Sequence, residues 1–118
     1  MRRREQLTTV PSPDARHDYL VDLAGDPTPG TRLAIRYVPD RLIATPEGFA
    51  AYLAALDDFD GGPEALALAV LDDLNNELVP RWAEVTVERV LPTPHRVVVE
   101  DRQPNWDNPH LFARMRPL

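Results

Sequence analysis

Hydrophobic positions along the chain change period twice. In HDYLVDLAG (17–25), Tyr19, Val21 and Leu23 recur at every second place, as on a half-buried strand. DPTPG (26–30) is dense in turn residues. TRLAIRYV (31–38) resumes the alternation, with Leu33, Ile35 and Tyr37 on one side and Arg32, Ala34 and Arg36 on the other. Two alternating runs around a short turn predict an antiparallel hairpin. After Thr45 the period becomes helical. Thr45 suits an N-cap and Pro46 the first helical position, where a missing N–H is harmless. Phe49, Leu53 and Leu56 follow at helical spacing, and Gly61-Gly62 breaks the run. Pro63 opens a second helix over 63–78, whose apolar stripe is Leu66, Val70, Leu71, Leu74 and Leu78.

Past Pro80 the alternation returns. RWAEVTVERVL (81–91) places Ala83, Val85 and Val87 opposite Trp82, Glu84, Thr86 and Glu88. PTP (92–94) turns the chain, and HRVVVED (95–101) is β-branched and strand-like. The order β-β-α-α-β-β predicts an α+β domain: a four-stranded antiparallel sheet with two helices on one face. The other face would carry Arg32, Arg36, Glu84, Thr86 and Glu88, and with open sheet edges it suits assembly with further copies. Residues 1–15 read as a flexible lead, 16–102 as the domain, and 103–118 as a Pro-rich tail packed on it, with Trp106, Leu111 and Phe112 covering an edge or the core.

Composition sharpens this picture. The chain has 118 residues, 43% of them apolar, which fits one globular domain. Net charge is −6, carried by 13 arginines and no lysine against 19 acids. An acidic balance argues against nucleic acid as the main partner, because phosphate binding needs a basic face. The absence of lysine removes every side-chain amine that could form a Schiff base. The absence of cysteine removes disulfides, thiolate metal sites and thiol nucleophiles, and fits a cytoplasmic protein. No apolar run approaches a membrane span, and no apolar stretch follows the N-terminal arginines as a signal peptide would require.

Candidate chemistry is sparse. Asp57, Asp58 and Asp60 cluster at the helix–helix turn but lack the spacing of a cation loop. His17, His95 and His110 lie too far apart to suggest a zinc site by themselves. Trp82 reads as a strand anchor, and Arg2, Arg3 and Arg4 as a solvated terminal run. Glu64, in the first turn of the second helix, is favoured there by the helix dipole, and it could also accept a paired hydrogen bond from a ligand.

Several residues in one register resemble a known family. IRYVPDRL (35–42) is similar to an Ile-x-Tyr-x-Pro-Asp motif, Tyr52-Leu53 to part of Leu-Tyr-Leu, LDDL (71–74) to Asp-Asp-Leu, and PRWAEV (80–85) to Pro-Arg-Tyr/Trp-x-Glu-Val. These belong to QueF, the NADPH-dependent 7-cyano-7-deazaguanine reductase of queuosine biosynthesis. The similarity runs without gaps from Leu33 to Val85, with a weaker echo at 17–23 and in the fourth strand. It implies the tunnelling fold, a homo-oligomer with sheets joined into a barrel, and a purine- or pterin-like ligand. It also shows what is missing. Where the family has Glu-Ser-Lys-Ser, tied to cofactor and substrate binding, this chain has Thr45, Pro46, Glu47 and Gly48. The family's nucleophilic cysteine has no counterpart, and the stretch from Leu23 to Leu33 is too short for its loop and proton-donating aspartate. Of Phe-His-Glu only Glu64 survives, where the family's glutamate grips the purine-like ring edge.

The resulting expectation is a QueF-like protein without the nitrile reductase site. It has no catalytic residues, cofactor or metal, with Glu64 and Thr45 as candidate ligand contacts. Three classes stay open: a non-catalytic ligand binder or partner subunit, an enzyme of altered chemistry using Glu64, and a purely structural assembly protein.

Overall fold

In a computed structural model the described residues run from Arg3 to Met115. Strand β1 (Thr9–Pro11) is followed by β2 (Val21–Thr28), β3 (Thr31–Val38) and β4 (Leu42–Ala44). Helices α1 (Pro46–Ala55) and α2 (Pro63–Glu77), strands β5 (Trp82–Arg89) and β6 (His95–Arg102), and helix α3 (Pro109–Arg114) complete the order. The main sheet is antiparallel in the order β2-β3-β5-β6, with β1 and β4 pairing as a separate two-stranded ribbon. The two long helices lie on one face, α1 over β2 and α2 over β5 and β6. This is the α+β architecture that the alternation predicts.

The core forms where the two periodicities meet. Leu33, Ile35 and Tyr37 of β3 and Ala83, Val85 and Val87 of β5 are all buried beneath Leu66, Val70, Leu71, Leu74 and Leu78. From α1 and the C-cap that follows it come Phe49, Tyr52 and Leu56, while Leu53 is only half-buried. Thr45 caps α1 as its sequence position predicts, its hydroxyl accepting from the Gly48 N–H at 2.9 Å. The hairpin between β2 and β3 is tighter than DPTPG suggests. Strand β2 runs on to Thr28, which pairs with Thr31, leaving Pro29-Gly30 as the turn with Gly30 at φ 82°. Pro27 is tolerated because β2 is an edge strand.

Two regions differ from expectation. Residues 1–15 are not a loose lead over their described part. Arg3–Gln6 form a 3-10 turn, Leu7 is buried in the core, and β1 pairs with β4. Leu7 drives this docking by removing apolar surface from water. Gly48 permits it: the Thr8 backbone nitrogen lies 2.7 Å from where a Cβ would stand. Arg2 lies outside the described residues, but Arg3 is no solvated charge. Its Nε donates to Asp73 at 2.8 Å, and its guanidinium lies over the Phe59 ring. The tail also gains an unpredicted element. Asn108 caps α3 by accepting from Leu111, with Pro109 in the first turn.

The tail covers part of the sheet's second face. Phe112 meets Trp82 edge-on at 5.3 Å and Trp106 at 5.7 Å. Glu84 and Thr86 are therefore buried rather than open, and Glu84 accepts from Arg36 at 2.7 Å. A polar latch holds the tail. Arg81 donates to Asp18 at 2.9 Å and to Asp40 at 3.2 Å, while the other Asp18 oxygen accepts from Asn108 at 2.9 Å and Trp106 at 3.2 Å.

Burial alone would raise the Asp18 pKa. Hydrogen bonds from Asn108, Arg81 and Trp106 outweigh it and hold the carboxyl below its ordinary value. A carboxyl depressed on folding stabilises the fold above its unfolded pKa, about 3.9, and that contribution disappears as pH falls through the folded value. Acidification below about pH 4 should therefore loosen the tail, read as a change in tryptophan emission. In Asp18→Asn that acid-dependent step should be largely lost. An unchanged step in this variant would show that another group holds the tail.

No helix among the described residues is long and apolar enough to cross a membrane.

Candidate functional site

The residues that carry the family resemblance are drawn into the frame. Tyr37 is fully buried, and its hydroxyl accepts from the Ala44 N–H at 2.9 Å, fixing the turn before α1. Asp40 is paired with Arg81 in the latch. Tyr52 donates to Asp73 at 2.6 Å inside the core. These contacts give Tyr37, Asp40 and Tyr52 structural roles without assigning any of them chemistry.

Thr45, predicted as a ligand contact, is also committed. Beyond its cap bond, its hydroxyl lies 2.7 Å from that of Thr8, and its backbone N–H donates to the Thr8 carbonyl at 3.0 Å. The Thr45–Gly48 stretch thus anchors the N-terminal segment through a side-chain bond and a missing side chain.

Glu64 has the opposite character. It stands in the first turn of α2, whose N-cap, Gly62, provides no side-chain bond. Its side chain is 63% exposed, and its Oε2 lies 3.1 Å from His95 Nε2 at the start of β6. His95 pairs across the sheet with Arg89, and Arg89 with Thr31, which is buried. Opposed residues of an antiparallel pair project to the same face. Arg89 is thus the strand neighbour of the imidazole that holds Glu64. Its Nε is buried and makes no hydrogen bond with any described residue. Such an orphan donor has an unmet hydrogen-bonding need, and it is already desolvated. A sequence cannot reveal this, because Arg89 looks like any strand-end arginine; only the packing exposes its vacant N–H.

Among the described residues, cavities of about 620 and 630 Å³ are lined by neither Glu64 nor Thr45. The first has Asp58, Asp60, Asp72 and Asp73 in its wall, but also Arg3 and Arg4, and Asp73 is already held by Tyr52 and Arg3. No cluster of three or more His, Asp or Glu side chains suited to a metal ion occurs among the described residues. The histidines stay apart: His17 bonds Asp14 at 2.7 Å and His95 bonds Glu64. The one serine, Ser12, shares a 2.6 Å hydrogen bond with Tyr19 rather than with a base.

No family model and no curated protein matches this chain. Among solved structures, the crystal structure of the archaeosine synthase QueF-Like in the apo form superposes with a TM-score of 0.57 at 21% identity, covering 69% of this chain and 91% of that one. At that identity the likeness speaks for architecture alone: the chain has a QueF-like tunnelling fold.

Proposed function

We propose that this is a non-reducing QueF-like protein that binds a purine- or pterin-like ring through Glu64, with a second copy of the chain closing the pocket. The observation that carries this reading is the orphan Arg89 Nε beside the His95–Glu64 pair. An exposed carboxylate accepts the paired N–H donors of a guanine-like edge, and a vacant guanidinium N–H suits a ring carbonyl or nitrogen. The cavities of about 620 and 630 Å³ are not lined by Glu64, and a second copy would supply another wall beside it. The free edge of β6, which starts at His95, is a natural place for another sheet to join. Nitrile reduction is left out because the thiolate that must add to the nitrile has no source in a chain without cysteine.

The test is a thermal-shift and titration series with 7-cyano-7-deazaguanine, guanine and a pterin, alongside light scattering. A ring bound at a hundred times its Kd stabilises by about 2.7 kcal/mol. Glu64→Gln keeps the side-chain shape but swaps one acceptor for a donor. We expect it to weaken binding about tenfold or more while changing stability by under ~1 kcal/mol. NADPH should not be consumed. A shift with no ring, or an equal shift in Glu64→Gln, would remove the ligand reading. It would leave a structural assembly protein, the reading favoured by the exposed apolar Val90 and Leu91 beyond the end of β5.

A further inference from the structure

The sheet face away from α1 and α2 holds a cavity of about 630 Å³, distinct in position from Glu64. The strand register explains why it exists. Ala24, Ala34 and Thr86 stand opposite one another across β2, β3 and β5, forming a row of small side chains. The rows on either side are long: Asp22, Arg36 and Glu84 on one flank, Arg32 and Glu88 on the other. A short row between long ones makes a notch, and the tail roofs it with Leu111 and Met115. The volume lies within the roughly 300–1,000 Å³ of small-molecule sites.

The charges around the notch run against those of the whole chain. Net charge is −6, yet the wall holds three arginines and one carboxylate, Asp22. Arg36 is bound to Glu84 at 2.7 Å. The other two have little to do. Arg32 reaches Asp26 at only 3.8 Å, with both side chains about 60% exposed, a weak pair. Arg114 makes no ion pair or hydrogen bond with any described residue. On the floor, Thr86 is only 4% exposed, and its hydroxyl has no partner among the described residues. Thr86 thus offers the notch a hydroxyl that no described residue occupies.

We propose that this notch binds a small carboxylate with an apolar body. Arg114 and Arg32 take the carboxylate, whose two oxygens match the guanidinium fork. Thr86 donates a hydrogen bond, and the apolar body lies between Ala34 and the Leu111–Met115 roof.

Octanoate and octylamine have the same chain length and opposite charge, so titrating both into the full-length protein tests charge and apolar fit together. Octanoate should bind and raise the melting temperature, while octylamine should not. Arg114→Gln and Arg32→Gln, both at exposed places, should each weaken octanoate about tenfold without altering the fold. Ala34→Leu should fill the notch and abolish binding. The proposal is overturned if octylamine binds as tightly as octanoate, if neither arginine variant changes the affinity, or if octanoate binds more weakly than about 1 mM.

Discussion

Trp82→Ala is expected to lower stability by about 3–5 kcal/mol, the usual range for emptying a buried tryptophan site. Trp82 is 2% exposed but lies outside the helix-side core. It sits on the second face, donating from Nε1 to Glu100 at 2.6 Å and packed edge-on against Phe112. The substitution therefore costs Phe112 one of its two aromatic partners and leaves Glu100 only the longer contact from Arg102 at 3.5 Å. Urea unfolding followed by circular dichroism measures the loss. Trypsin supplies a local reading, because an undocked tail offers Arg102 and Arg114 to cleavage while the sheet stays folded. A loss below about 1 kcal/mol would mean that the tail rests on the latch alone and that the aromatic cluster is incidental.

The second large effect belongs to Asp73. It is 3% exposed and accepts from Tyr52 and from Arg3. Burial first, and the carboxylate of Asp73 second, push the Tyr52 phenol well above its ordinary pKa, so it remains a donor throughout the ordinary pH range. Asp73→Ala leaves that hydroxyl buried and unpaired, at a cost of about 2–3 kcal/mol. Arg3→Ala should cost under about 1 kcal/mol, because the Arg3 side chain is 37% exposed and its loss leaves Asp73 the Tyr52 bond. Equal losses in the two variants would overturn this ranking and place the stabilising weight on the N-terminal segment instead.

What the sequence made legible was periodic and local. The stripe on α2 and the alternation of β3 and β5 identify buried faces, because each buried face repeats within one element. The Thr45-Pro46 start of α1 was equally readable from cap chemistry. Strands β1 and β4 were not, since three residues cannot establish a period and their partner lies more than thirty positions away. Leu7 was hidden for the same reason: one leucine among polar neighbours looks solvated until the segment docks. Helix α3 did leave a signal, Asn108 followed by Pro109, the same cap-then-proline pairing as at α1. In the candidate site, Glu64 stood out by resemblance and holds an open position, whereas Thr45 is occupied by its cap bond and by Thr8. Arg89 Nε, Arg114 and the Thr86 hydroxyl have no partner among the described residues, and an absent partner has no spelling in a sequence.

The latch around Arg81 bears on how this domain can be divided. Its members come from 15–18, 40, 81 and 103–108, and the Asp18–Asn108 bond joins residues 90 positions apart. A fragment cut at 16–102, the borders that the sequence pattern suggests, keeps all four main strands and both long helices. It loses Trp106, Asn108 and Phe112, and with them two donors to Asp18 and the cover over Trp82. The smallest indivisible unit is therefore larger than the sheet and its helices. The flanking segments are parts of the module itself, and a graft or split of this fold has to carry them along.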